Sequence, residues 1–263
     1  MNLQDLTFAV ANNVATITLN RPDEANALSL RMAQDLHEVA THCDSNPAIR
    51  AVILTATGKM FCAGGDVLSF ARAGDGVNEL MRSMTTYLHA AIARFQRMNP
   101  PLIIAVNGTA AGAGLSIMLT GDIVLAASSA KFTMAYTGIG VSPDGSSSFF
   151  LPRLVGTLKA KEMMLLNPRY DAAQALALGL VTEVVADDQL MTRAQAMAAQ
   201  LAVGPTMAYG EVKRLLTDSF NSSLETQMEY ETRAIAGLTR YTRDAREGIA
   251  AFSQKRKPEF HGS

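Results

Sequence analysis

The chain predicts an α/β fold: buried parallel strands joined by crossover helices, with a helical region after them. Three observations carry that expectation. Wholly apolar runs at 51–54, 102–106 and 123–126 are strand-sized and show no polar face, as strands covered on both sides must. Helical spacing fills the intervals between them. After about residue 186 the strand signals stop, and helical patterns alone remain at 187–202, 206–220, 223–238 and 242–256. The expected division is a core at 1–186 and a helical region at 187–263.

Residues 6–19, LTFAVANNVATITL, read as two strands joined by Asn12-Asn13, a pair that tolerates the positive φ of a hairpin turn. The segment RPDEANALS follows, and then a helix over 30–43, where Met32, Leu36, Val39 and Ala40 recur at helical spacing. Ser29 stands where an N-cap belongs. Residues 77–98 form the longest helical pattern before the centre of the chain, and Pro100-Pro101 ends it.

A chain of 263 residues can bury a sizeable core, and 48% hydrophobic against 18% charged residues excludes disorder. A net charge of -1 gives no reason to expect nucleic acid or an anionic membrane as partner. Two cysteines, Cys43 and Cys62, are too few for a disulfide framework, and no pair of histidines has metal-ligand spacing. The start, MNLQDLTFAV, has neither a basic stretch nor a long apolar run, and apolar windows elsewhere are soon broken by Gly, Asn or Asp. A soluble cytoplasmic protein is expected. The cluster KRKP at 255–258 reads as a solvated tail.

Two segments have the form of ligand-binding turns. FCAGGD at 61–66 follows AVILT, NGTAAGAGLS at 107–116 follows LIIAV, and each leads into a helix. Small residues let a ligand approach the backbone, and a helix N-terminus offers unpaired N–H groups. Facing each other, the two turns would make a two-donor oxyanion hole. Taken singly, each also fits a plain strand-to-helix turn. Neither matches a Walker A loop or a dinucleotide-binding glycine motif.

Together FCAGGD, AVNGTAAGAG, GDIVLAASSAKF and the tail REGIAAFSQKRKPEF resemble the crotonase superfamily (enoyl-CoA hydratase/isomerase) over essentially the whole chain. The resemblance implies an α/β crotonase (ClpP/crotonase-like) fold, with a repeated ββα core and trimerisation through the C-terminal helices. It also implies acyl-CoA thioester substrates, with CoA entering as part of the substrate and no separate cofactor. The thioester oxygen would be held by two backbone N–H groups, which by position belong to Ala63 and Ala113. Family members often have Gly at the second position; Ala still offers its N–H but crowds the approach.

One departure stands out. Enoyl-CoA hydratases use two glutamates, and the matching positions here hold Ser116 and Tyr136. A serine hydroxyl, or a phenol with its ordinary pKa of about 10, is no base near neutral pH. Ordinary hydration is therefore not expected. In MAYTGIGVSPDGSSSF the resemblance places the carboxylate of Asp144 on the active-site wall, where phenylacetate-type acyl-CoA isomerases sharing SPDG…LPR, and 4-chlorobenzoyl-CoA dehalogenase, have a catalytic carboxylate. Asp is also a favoured helix cap, so capping the next helix is its alternative.

A lone carboxylate suits the shift of a double bond from C3–C4 to C2–C3, since one group can take a proton from C2 and return one to C4. Phe132, Met134, Phe149 and Phe150 are expected either to line the site and desolvate Asp144 or to belong to the core. His89 occupies the position of the dehalogenase's active-site histidine, although a packed structural role fits it as well. His37 and His42 are expected on an exposed helix face. The resemblance further implies CoA contacts at Ala25 and Ala27, at Ala63, Gly64, Gly65 and Asp66, at Tyr136, and at Phe252 and Lys255 reaching a neighbouring subunit; Lys255 also fits an ordinary surface charge. Cys62 reads as a packing residue. The rival readings are a hydratase or another reaction of the superfamily, including hydrolytic dehalogenation, and a catalytically silent CoA-binding oligomer. The Ala-, Met- and Leu-rich helices after residue 186 suit a homo-trimer or dimer of trimers.

Overall fold

The hairpin turn at Asn12 and Asn13, both in the left-handed region (φ 50° and 63°), sets the edge of the main sheet. In the computed structural model, which describes residues 1–263, it joins β1 (Leu6–Ala11) to β2 (Val14–Leu19) in antiparallel register. The chain continues through α1 (Leu30–Ser45), whose N-cap Ser29 accepts from the Met32 N–H at 2.8 Å. Next come β3 (Ala51–Ala56), β4 (Met60–Cys62), α2 (Val67–Ala73), α3 (Val77–Arg97), β5 (Leu102–Val106), β6 (Thr109–Ala111) and α4 (Ala113–Met118). They are followed by β7 (Ile123–Ala127), β8 (Lys131–Thr133), a short 3-10 turn (Tyr136–Ile139), α5 (Ser147–Val155), α6 (Thr157–Leu166), β9 (Tyr170–Asp171), α7 (Ala172–Ala177) and β10 (Glu183–Val185). Four helices complete the chain: α8 (Leu190–Ala202), α9 (Thr206–Ser219), α10 (Leu224–Tyr241) and α11 (Arg243–Ser253).

The main sheet has the order β1-β2-β3-β5-β7-β10 and is parallel apart from the hairpin. A second sheet, β4-β6-β8-β9, takes β4, β6 and β8 from the short strands that follow β3, β5 and β7, and β9 closes its edge antiparallel to β8. A long strand, a short strand in the other sheet and then a helix is thus the repeating unit of the core. Along β3, Val52 and Leu54 face the larger core with α1 and α3, while Ala51 and Ile53 face α8. The strands read as continuous apolar runs because both faces are covered. Leu190, Ala194, Ala198 and Ala202 form the buried stripe of α8, and the alanines let it sit close to the sheet. The α9 helix is fastened by Lys213, whose buried ammonium donates to the carbonyls of Phe95 (2.8 Å) and Pro100 (3.1 Å) and pairs with Asp122 at 2.8 Å. That clamp fixes the end of α3 against the start of β5, and α3 walls the site described next. No helix is long and apolar enough to cross a membrane.

His37 and His42 are half-buried rather than on an open face. His37 lies beside Tyr87 of α3, and His42 meets the Phe8 ring edge-on at 5.6 Å. The antiparallel hairpin and α3 close over the side of α1 that local spacing left exposed.

Candidate active site

The first turn is pinned by a short parallel bridge between Leu28 and Gly65. Leu28 N–H donates to the Gly64 carbonyl at 2.7 Å, and Asp66 N–H donates to the Leu28 carbonyl at 3.0 Å. Because successive peptide groups of an extended segment point to opposite sides, this pairing turns the N–H of Gly65 away from Leu28. No group of the chain accepts it. The N–H of Ala63 is differently placed: it donates to the Ala25 carbonyl at 3.1 Å. Ala63 therefore is not a free donor, contrary to the expectation from sequence. It lines a separate groove, with Lys131 and Arg169.

The second turn abuts the first. Gly112 has φ 51°, and a Cβ there would stand 3.4 Å from the Gly64 Cα. Ala113 is the first residue of α4, and its N–H, like others in a first helical turn, finds no acceptor in the chain. Gly65 and Ala113 line one cavity of about 220 Å³, with Leu28, Phe70, Met81, Met84, Thr85 and Leu88 on its walls. Tyr136, Ile139, Val141, Ser142 and Asp144 complete the lining, and Asp144 is the single carboxylate among them.

Asp144 sits just before Gly145 (φ 59°) and Ser146 (φ 66°), a left-handed pair that turns the chain into α5. Glycine is required at 145, where a Cβ would meet the Ser116 Cβ at 2.9 Å. The carboxylate bonds no N–H of α5; it is the backbone carbonyl of Asp144 that receives the Ser147 N–H and hydroxyl. The capping alternative is thus absent. Instead, Oδ1 accepts the Tyr136 hydroxyl at 2.6 Å, and that phenol oxygen lies 2.8 Å from Ser116 Oγ. Burial, followed by the Asp144 charge, raises the Tyr136 pKa above the ordinary phenol range, so Tyr136 keeps its proton and donates it to the carboxylate. His89, half exposed on α3, places Nε2 3.8 Å from Asp144 Oδ2. The same nitrogen accepts the Gly145 N–H at 3.3 Å.

The remaining expected site residues divide. Asp66 fixes its loop: it caps α2 through the Ser69 N–H at 3.0 Å and meets Arg21 at 3.2 Å. Burial works to raise its pKa, but the bonds from Ser69 and the Arg21 charge outweigh it and hold the carboxyl below its usual range. Ala25 (φ 53°) and Ala27 lie in the loop that Arg21 grips, its guanidinium reaching the Ala27 carbonyl at 2.6 Å. Cys62 is fully buried, and burial pushes its thiol up to about 11, which leaves no thiolate for attack. Phe252 is 88% exposed on α11, and neither it nor Lys255 lines the cavity of a single chain.

For the four residues expected either to line the site or to belong to the core, the structure gives no place in the cavity wall. Phe132 and Met134 belong to the core, Phe150 packs against it, and Phe149 lies under the Arg153 guanidinium. The walls come instead from α2 and α3. The apolar spacing of Met81, Met84 and Leu88 is a visible signal, but in the sequence it supports only the helical pattern over 77–98.

The profile of the family described as "Enoyl-CoA hydratase/isomerase" matches residues 9–263. The chain is 37% identical over 254 residues to a protein of Escherichia coli (strain K12) named 1,2-epoxyphenylacetyl-CoA isomerase, covering 96% of this chain and 97% of that one. It is 32% identical over 245 residues to 4-chlorobenzoyl coenzyme A dehalogenase-2 of an Arthrobacter species, covering 93% and 88%. Among solved structures, an enoyl-CoA hydratase from Polaromonas sp. JS666 superposes with a TM-score of 0.91 at 32% identity, over 97% of this chain and 99% of that one.

Proposed function

Since the chain belongs to the enoyl-CoA hydratase/isomerase family, whose members act on acyl-CoA thioesters, we propose that it is an acyl-CoA double-bond isomerase that uses Asp144 as its one acid/base group. The observation that carries the reading is the composition of the cavity wall. It holds a single carboxylate, and by the sequence resemblance Ser116 and Tyr136 occupy the places of a hydratase's two glutamates.

In this reading the thioester oxygen is held by the free N–H groups of Gly65 and Ala113. Asp144 takes a proton from C2 of a 3-enoyl thioester and becomes a carboxylic acid, and the electron pair moves into a dienolate whose oxygen faces the two N–H donors. Asp144 then returns a proton to C4, which leaves the C2–C3 double bond and restores the carboxylate. Donors aimed at a developing oxyanion are worth about 3–4 kcal/mol each in measured cases. The apolar walls exclude water from the dienolate and accept an apolar acyl group.

A second reading rests on His89, whose ring stands 3.8 Å from Asp144 as a hydrolytic dehalogenation with an aspartyl ester would use it. Incubation with a 3-enoyl-CoA, a 2-enoyl-CoA and 4-chlorobenzoyl-CoA, followed by mass spectrometry and retention time, separates the readings. Conversion of the 3-enoyl thioester without gain of water supports isomerisation. Addition of water to the 2-enoyl thioester, or loss of chloride from the aryl thioester, refutes it.

A further inference from the structure

We propose that Tyr136, backed by Ser116, is a positioning residue that divides the Asp144 carboxylate into one anchored and one reactive oxygen. The inference rests on the reading of Asp144 as the acid/base group. It starts from the hydrogen-bond inventory of a single side chain. Oδ1 accepts the Tyr136 hydroxyl at 2.6 Å. A phenol has one proton, so the 2.8 Å contact between Ser116 and Tyr136 is made by the Ser116 hydroxyl donating to the phenol oxygen. The three groups form a directed chain: Ser116 to Tyr136 to Oδ1. Ser116 is wholly buried, and its other acceptor, the Gly112 carbonyl, is 3.4 Å away, so the chain is its better bond.

Oδ2 has no hydrogen-bond donor. His89 Nε2 stands 3.8 Å away and already receives the Gly145 N–H, so in this geometry it is an acceptor rather than a donor to Oδ2. Tyr136 and His89 are the titratable groups that face the carboxylate, Tyr136 from the 3-10 turn and His89 from α3. The lone pairs of Oδ2 are therefore the ones left for a substrate proton. Freezing the carboxylate through Oδ1 aims Oδ2 without using any substrate contact. The phenol transfers no proton. It stands at a position that a second glutamate would fill in a hydratase, and here it serves the carboxylate instead of the water.

The test is a set of variants assayed with a 3-enoyl-CoA substrate. Tyr136→Phe should lower kcat on the order of ten-fold through lost aim, with KM within about two-fold. Ser116→Ala should lower kcat by about two- to five-fold in the native background and have no further effect on Tyr136→Phe, since it acts only through the phenol. Equal, additive effects of the two substitutions, or a Tyr136→Phe kcat equal to the native one, overturn the inference. Should Tyr136→Phe fail to fold, Ser116→Ala alone decides it: a lowered kcat with KM unchanged supports the chain of bonds, and a native kcat overturns it. Asp144→Asn keeps the two failures apart. If it abolishes turnover while Tyr136→Phe changes nothing, the positioning role falls and the acid/base role stands; if it stays active, both fall.

Discussion

Replacing Asp144 by asparagine changes one atom of the cavity wall and leaves its shape. The side-chain oxygen of asparagine can still accept the Tyr136 hydroxyl, so the 2.6 Å bond and the Gly145–Ser146 turn behind it have no reason to move. At the Oδ2 position, however, an NH₂ now faces the cavity, a donor where the reaction needs an acceptor. The loss expected is that of a positioned acid/base group, on the order of 10²- to 10⁴-fold in kcat, or about 3–5 kcal/mol of barrier. Binding of a non-isomerisable acyl-CoA should be unchanged, because the donors of Gly65 and Ala113 are untouched. The assay is initial-rate isomerisation with product separation, repeated in deuterated water. The native enzyme should place solvent deuterium at C4, or retain substrate hydrogen there if one carboxyl carries the same proton across. Native turnover in Asp144→Asn would refute the reasoning, as would a loss of acyl-CoA affinity that matched the loss of rate.

His89→Gln should change isomerisation only slightly, and severely impair turnover of an aryl-CoA halide if the second reading holds. Calorimetry should show CoA thioesters binding far more tightly than the free acids of the same acyl groups, and equal binding would remove the thioester assignment. Light scattering should find a trimer or a dimer of trimers, because Tyr241, Ile235 and Phe252 on the C-terminal helices are 75%, 66% and 88% exposed, and a stable monomer at micromolar concentration contradicts this. Glu247, bonded to Arg256 and to the Glu259 N–H, has its carboxyl lowered from 4.5 to about 2. Its folded-state value is the depressed one, so its contribution to stability is complete above about pH 4.5 and is lost as the pH falls toward 2. Thermal melts of Glu247→Gln should therefore lose less than those of the native chain over that interval, and equal losses would refute the assignment.

Local chemistry made much of this legible in the sequence. Asn12-Asn13, Ser29 and the apolar runs of β3, β5 and β7 each announce themselves within a few residues, and each is found as expected. The second sheet was invisible, since β4, β6, β8 and β9 are two or three residues long and too short to show a period. The choice between Ala63 and Gly65 was hidden for another reason. It depends on the register in which Leu28, more than thirty positions earlier, meets the turn, and no local pattern encodes that register. Tyr136 was found where a substrate contact was expected, but its bond to Asp144 is a matter of tertiary placement. Phe132, Phe149 and Phe150 show the same limit, because closeness to a carboxylate in sequence does not decide between the site wall and the core.

The two free N–H groups belong to the main chain, and what holds them is a bridge at Leu28 and the first turn of α4 rather than any functional side chain. In the proposed reaction the electrophilic half of the site is thus part of the architecture, whereas its proton chemistry is written in replaceable side chains. A chain built this way can exchange a carboxylate for a hydroxyl at 116 or 136 and recruit another from the loop at 144 without rebuilding the grip on the thioester. Its reaction can be rewritten while its handle on the substrate is inherited intact.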